Sequence, residues 1–356
     1  MKKVYIYSAC RFDRGDGISN VVLNLSSELD RNLDVTLIDF NHKEHHRIFT
    51  KDLFYKYKTI NKVGFLSSIK NLLKMNDIVC ILNGYYNIKY IWIMLICFFT
   101  NNSYVVIPHS SLSKGSLERG GIKKRVFNYI FSFLLKGAKY IVFLNKTESE
   151  CTYLNLTNIA IIPNGVVIPK NKTNKKFNKN NIEVSYIGRY DINHKGIDIL
   201  LNYIHNNNVE SIKYYLYGSD ATNQKSMIYN MVDKYSIGTH VIINDAVFNN
   251  DKENVYLDSD LFIHTSRYEG MPISILEALS YGVPCIVSNG TNMADIINKY
   301  KCGFIVNNQD DYNNVIEKIR NISCDEMQIY RNNARELIEK QYSWKHVATM
   351  YGKILD

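Results

Sequence analysis

The chain has 356 residues, 46% hydrophobic and 22% charged, which excludes a disordered or fibrous chain and suits two cores at about 150 residues each. Its formal net charge of +9 is uneven: residues 1–165 hold 22 Lys/Arg against 12 Asp/Glu, and the remainder 21 against 22. All the excess lies in the first half, where it suits nucleic acid, an anionic membrane or a polyanionic substrate.

In chain order, "KVYIYSA" (3–9) is a strand that turns polar at Arg11 and is too short for a signal peptide. The helical period "ISNVVLNLSSELD" (18–30) follows, then strands at 34–40, 77–83, 103–109, 140–145 and 159–164. The most apolar run, "YIWIMLICFFT" (90–100), falls short of the roughly 20 residues that span a bilayer and predicts a buried helix. "PKNKTNKKFNKNN" (169–181) has no period and is basic and Asn-rich, so it reads as a linker. The pattern then restarts with strands at 183–189, 212–218, 240–245, 261–266, 284–289 and 303–308. Strands alternating with helices imply parallel sheets with right-handed crossovers, here two Rossmann-like domains, 1–168 and 182–341. The seven cysteines are scattered without a Cys-x-x-Cys pair, which fits free thiols in a reducing compartment better than disulfides or zinc.

In open parallel sheets ligands bind beyond the carboxyl ends of the strands, and the residues able to do chemistry cluster there. In "YIGRYDINHKGID", Gly188 lets the backbone turn, and Arg189 and Lys195 follow at a spacing that can clamp a diphosphate. Two exposed loop cations are the plainer reading of the same pair. In "RYEGMPISILEALSYG", Pro272 falls at the first helical position and Gly282 at the C-cap, so the helix N-terminus faces the strand ends. Its amides can hold phosphate oxygens, and Gly270 lets the backbone come close. Glu269 projects from the loop, and Glu277, farther along the helix, can accept hydrogen bonds from vicinal hydroxyls. The plainer reading makes Glu277 a solvated helix residue and Glu269 an acid favoured by the helix dipole. Gly15 and Gly17 open the first helix in a weak Gly-rich loop that matches neither dinucleotide nor P-loop patterns. His109 ends a strand, without the surroundings of a Ser-His-Asp site.

Taken together, these segments resemble the family-4 retaining glycosyltransferases of GT-B fold, two Rossmann-like domains facing each other across a cleft. The matching stretches are "RGDGISNVVLNLSSEL", "VVIPHSS", "IIPNGV", "YIGRYDINHKGIDILL" and "SDLFIHTSRYEGMPISILEALSYGVPCIVSN". The last, with its Glu-x7-Glu spacing, is the strongest and the first the weakest. The resemblance implies that Arg189 and Lys195 hold the donor diphosphate and Glu277 the nucleotide ribose. Glu269 would contact sugar hydroxyls, and backbone at Gly188, Gly270, Met271, Pro272 and Ile273 would cradle sugar and phosphate. His109 would lie near the transferred sugar, Gly15 and Gly17 near the phosphates, and "IINDAVF" with Asp245 near the base. The family often has Gly near Asp245, so that base contact departs from the pattern. A last helix, 342–356, would return to the first domain with Trp344 and Tyr351 packing there. "DSD" (258–260) matches a metal motif of another glycosyltransferase class, but it precedes its strand, away from the crevice.

The implied reaction is transfer of a hexose or N-acetylhexosamine from a nucleotide-diphosphate sugar, UDP favoured, to a saccharide acceptor. No metal and no further cofactor are expected. The acceptor would be lipid-linked, in bacterial surface polysaccharide (O-antigen or capsule) synthesis. The expected location is cytoplasmic, or peripheral on the inner face of the plasma membrane. The basic and apolar stretch around Lys123, Lys124 and Arg125 would meet an anionic membrane surface. Competing readings are a nucleotide-sugar 2-epimerase of GT-B fold and a non-catalytic nucleic-acid-binding module. The latter lacks the interleaved aromatic and basic motifs of RNA-binding folds, so no nucleic-acid partner is expected.

Overall fold

Short apolar runs build one parallel sheet in each half of the chain. The computed structural model describes residues 1–10, 17–40, 56–59, 62–112, 126–128, 131–221 and 223–356. The chain divides into two compact units, Met1–Gly165 with Trp344–Asp356, and Val166–Ser343.

The first unit contains β1 (Lys3–Ser8), β2 (Asp34–Asp39), β3 (Lys56–Thr59), β4 (Ile78–Asn83), β5 (Ser103–Ile107), β6 (Tyr140–Phe143) and β7 (Ile159–Ile161), in the order β3-β2-β1-β4-β5-β6-β7. All these pairs are parallel. β4, IVCILN, is buried at every position, as a strand covered on both faces must be, so polar–apolar alternation disappears. Helix Gly17–Leu29 buries Val21, Val22, Leu25 and Leu29 along one stripe. Helix Trp344–Leu355 belongs to this unit and buries Trp344, Val347, Tyr351 and Leu355.

β3 is announced by no apolar run: KYKT is polar and short, which an edge strand tolerates. His109 stands two residues beyond the end of β5 rather than at it. The apolar run 90–100 forms helix Ile88–Phe99, one-sided rather than buried. Tyr90, Ile91, Ile93, Met94, Ile96 and Cys97 are buried, but Ile88, Trp92, Phe98 and Phe99 are exposed. A helix lying on a sheet buries one face, whatever its composition. Among the described residues no helix is long and apolar enough to cross a membrane. All seven cysteines are free, and Cys151 and Cys324 are exposed.

The second unit contains β8 (Ile182–Ile187), β9 (Ile212–Gly218), β10 (Val241–Asp245), β11 (Leu261–His264), β12 (Cys285–Val287) and β13 (Gly303–Ile305), in the order β10-β9-β8-β11-β12-β13. Strand order reverses between β8 and β11 here, and between β1 and β4 in the first unit. At such points the loops leaving neighbouring strands diverge and leave a crevice for a ligand.

The stretch 169–181 straps the second unit. Phe177 lies in its core. Thr173 donates from its amide to the Tyr281 carbonyl at 2.9 Å and from Oγ1 to the Leu257 carbonyl at 2.8 Å. Lys175 reaches Asp260 at 2.9 Å and Glu183 at 2.7 Å. Asp260 is fully buried; it also accepts from the Glu183 amide at 3.0 Å and from Arg331 at 3.1 Å. The second acid of "DSD" is thus committed to two cations and an amide.

Candidate active site

In the second unit, the loops after β8 and β11 are fastened to each other. Asp191 caps the short helix Ile192–Lys195 by accepting from the His194 amide at 3.1 Å, and Gly196 ends it with φ +63°. Thr265 Oγ1 donates to the Gly196 carbonyl at 2.9 Å, so close that a Cβ at Gly196 would lie 2.1 Å from the Thr265 carbonyl oxygen. Only glycine admits both the left-handed turn and this approach. The Arg267 amide donates to the His194 carbonyl at 3.1 Å. The Arg267 guanidinium forks onto Asp198 at 2.8 and 2.6 Å.

This stitching sets Lys195 against Glu269, Nζ to Oε1 at 2.5 Å. Ser266 Oγ donates to the same oxygen at 3.1 Å, and Asn292 Nδ2 donates to the Glu269 carbonyl at 2.5 Å. His194 stacks on Tyr268 with centroids 4.4 Å apart. It donates from Nε2 to the Tyr268 carbonyl at 2.8 Å and lies 3.5 Å from Glu269. Burial raises the Glu269 pKa, but the nearby cations, Lys195 foremost, outweigh it and hold the carboxyl below its ordinary value. Glu269 is therefore an anion at neutral pH. Arg189, just beyond β8, is exposed, and its guanidinium makes no hydrogen bond or ion pair among the described residues. Arg189, Lys195 and Glu269 thus follow the two strands that flank the switch point, with Gly188 and Gly270 beside them.

His264 lies beneath this cluster, fully buried. Ser266 Oγ gives its proton to Glu269, so at 3.0 Å it must accept from His264 Nδ1. His264 Nε2 is then a buried acceptor without a partner. Burial lowers the His264 pKa from 6.5 to about 3, so the ring is neutral and aligns Ser266 without adding charge. A consequence for stability follows. Below pH 6.5 the unfolded chain binds the proton before the folded one, so this contribution is present above pH 6.5 and is lost as pH falls toward 3. Melting curves from pH 7 to 4 should fall less steeply for His264→Asn than for the wild type.

Pro272, expected as the first helical residue, stands one position earlier, as the N-cap of helix Ile273–Ser280, with φ −65° and ψ 119°. Its missing N–H is no loss at either position, which is why sequence does not separate them. The helix has no side-chain N-cap. It closes in a Schellman motif: Gly282, φ +77°, donates to the Leu279 carbonyl, and Val283 to the Ala278 carbonyl, both at 3.0 Å. Met271 and Pro272 are buried and Ile273 is half-buried. Glu277, in the second turn, is not a free solvated acid. Lys252 lies 2.8 Å from Oε1 and 2.6 Å from Oε2, and Tyr256 donates to Oε2 at 2.9 Å, both from helix Asn249–Asp258. Asp245 is at the end of β10, exposed and paired with Lys225 at 2.7 Å.

His109 and Gly17 belong to the first unit. Asn83, at the end of β4, donates from Nδ2 to Ser8 Oγ at 3.2 Å at the end of β1. Its Oδ1 therefore accepts from His109 Nε2, at 2.6 Å. His109 and Ser110 hold positive φ of 46° and 62°, a local cost that tertiary contacts must offset. One such contact runs from the Ser110 amide to Glu148, which also accepts from the Leu144 amide at 2.7 Å. Burial raises the Glu148 pKa and lowers that of His109 to about 4, so His109 is neutral at physiological pH. Gly17 begins helix Gly17–Leu29. Gly15 and the basic run Lys123–Arg125 lie outside the described residues. The partners His194, Asn83, Glu148, Lys252, Tyr256, Ser266 and Asn292 carry no motif of their own; only their position just after strands or one turn from a motif marks them.

Two Rossmann-like units, with cations and acids gathered at a switch point of the second, make up the GT-B fold. Residues 167–344, half the chain, match the family described as glycosyl transferases group 1, and the chain belongs to that family. It is 26% identical over 206 residues to an uncharacterized 41.2 kDa protein in the cps region of Klebsiella pneumoniae, covering 55% of each chain. It is also 26% identical over 214 residues to the UDP-Gal:alpha-D-GlcNAc-diphosphoundecaprenol alpha-1,3-galactosyltransferase of Escherichia coli, again covering 55% of each. The chain thus spans about half the length of the curated relatives it matches. Among solved structures, Anabaena HepE in complex with UDP and glucose aligns with a TM-score of 0.78 at 14% identity, covering 100% of this chain and 99% of that one. Staphylococcus aureus TarM, solved with fondaparinux, alpha-GlcNAc-glycerol and UDP, aligns with a TM-score of 0.75 at 15% identity, covering all of both chains. At such identity these two likenesses speak for the fold.

Proposed function

We propose that the protein is a retaining glycosyltransferase that moves a hexose or N-acetylhexosamine from a UDP-sugar to a lipid-linked saccharide in capsule or O-antigen synthesis. The observation that carries the donor half is the Lys195–Glu269 pair at the β8/β11 switch point, with Arg189 exposed beside it. Lys195 and Arg189 receive the diphosphate and stabilise the charge that grows on it as the anomeric C–O bond breaks. Glu269 Oε1 is occupied by Lys195 and Ser266, which leaves Oε2 to accept from sugar hydroxyls. Glu277 takes the ribose hydroxyls, in part exchange for Tyr256 and Lys252. In the first unit, His109, neutral and tied to Asn83, offers its unengaged Nδ1 as an acceptor for a sugar hydroxyl. The acceptor oxygen attacks the face the diphosphate leaves, and its proton passes to a phosphate oxygen. The acceptor assignment draws on the cps-region and diphosphoundecaprenol-sugar relatives.

A thermal-shift series with UDP, GDP, ADP and CMP, in EDTA, tests the donor. At 100 times its dissociation constant UDP should stabilise the fold by about 2.7 kcal/mol, and the other nucleotides much less. No shift with any of them would overturn the reading. Retained anomeric configuration in the product, and no epimer when UDP-sugar is incubated alone, complete it.

A further inference from the structure

We propose that the exposed face of helix Ile88–Phe99 docks the first unit on an anionic phospholipid leaflet. Ile88, Trp92 and Phe99 recur at helical spacing along the solvent side, with Trp92 54% and Phe99 78% exposed. Phe98, also exposed, packs edge-on against Phe99 with centroids 5.4 Å apart. The Phe98 ring lies against Gly137: a Cβ there would be 3.5 Å from it. Gly137 is four residues beyond the exposed Phe133, so the ridge continues onto the segment 131–136. Helix Lys62–Leu73 leaves Leu66 and Leu73 exposed as well. Single exposed apolar residues are ordinary, but a ridge of three aromatic rings on one short helix marks a surface with an occupant.

The charge around the ridge selects that occupant. Residues 62–112 contain four lysines, Lys62, Lys70, Lys74 and Lys89, and one acid, Asp77. Lys70, Lys74 and Lys136 are exposed. Tryptophan and phenylalanine flanked by lysines suit the headgroup region, where rings enter the acyl boundary and ammonium groups meet lipid phosphates. A second copy of the chain would bring the same positive charge to the same face, which opposes self-association. The docking deepens the lipid-linked acceptor reading and is independent of the UDP-binding one.

The full chain should be mixed, without donor or acceptor, with vesicles of phosphatidylcholine alone or with one third phosphatidylglycerol. Of the two tryptophans, Trp344 is 8% exposed and Trp92 54%, so a blue shift in emission and quenching by brominated lipid report on Trp92. Partitioning onto the anionic vesicles should be at least about tenfold tighter than onto neutral ones at low salt. The double variant Trp92→Ser/Phe99→Ser should lose at least about tenfold in flotation on the anionic vesicles. Its UDP thermal shift, measured without vesicles, should match the wild type and so separate failed docking from failed donor binding. Unchanged emission, or equal binding to neutral vesicles, would overturn the proposal. So would a concentration-dependent dimer that the double variant abolishes, since the face would then belong to a second copy.

Discussion

Replacing Lys195 with alanine should lower the turnover of sugar transfer by about 10²- to 10³-fold at saturating donor. Lys195 has two roles in the proposed reaction. In the resting site it pairs with Glu269, and in the proposed transfer it faces the charge that develops on the leaving diphosphate. The first role makes the variant diagnostic. Without the ammonium, burial acts on Glu269 against the weaker influence of the His264 and His194 rings, and its pKa rises. The acid limb of the rate profile should therefore move to higher pH in Lys195→Ala. Glu269→Gln added to that variant should remove the shift, and the double variant should lose less than the product of the two single losses. A Lys195→Ala enzyme with near-normal turnover would exclude the cation from the reaction.

Those two residues were legible because they sit in "NHKG" and "RYEG", stretches whose glycines and flanking strands announce a loop at a strand end. What holds them was not. His264 looks like one more residue of an apolar strand, and Ser266 like a loop hydroxyl. Their chain of hydrogen bonds to Glu269 exists because β11 ends where it does, and one residue of register would turn His264 to the other face. Glu277 was readable as an acid on a helix. Lys252 and Tyr256, which grip it, stand 25 and 21 residues upstream on a helix whose neighbour is chosen by sheet order rather than by sequence proximity. The apolar run 90–100 was read as buried because composition gives a helix its total hydrophobicity and not its number of covered faces. The stretch 169–181 hides its strap role for the opposite reason. Its polar letters suggest a linker, while Thr173, Lys175 and Phe177 each find a partner only in the folded unit.

Substituting Asp260 with alanine should destabilise the second unit by about 3–5 kcal/mol, the usual consequence of stranding a buried charge. Arg331 is 4% exposed and would lose the one carboxylate it reaches among the described residues, and of the two described acids that Lys175 reaches Glu183 would remain. Neither cation sheds its charge readily, since a guanidinium stays protonated and Lys175 is only half-buried, with a pKa raised by its acids despite the desolvation that opposes it. In a unit of this size each kcal/mol moves the midpoint by roughly 2–4 °C, so the melting temperature should drop by about 6–20 °C. The penalty comes from the orphaned cation rather than from the lost attraction, and this gives the discriminating experiment. Replacing both partners with apolar residues, Asp260→Leu with Arg331→Met, should recover most of the lost stability. If the double variant is as unstable as Asp260→Ala, the Glu183 amide and the Lys175 strap, which both variants lose, carry the stability instead. Either way UDP affinity, measured by titration below the melting range, should be unchanged, because Asp260 lies at the amino end of β11 and the proposed nucleotide site at its carboxyl end.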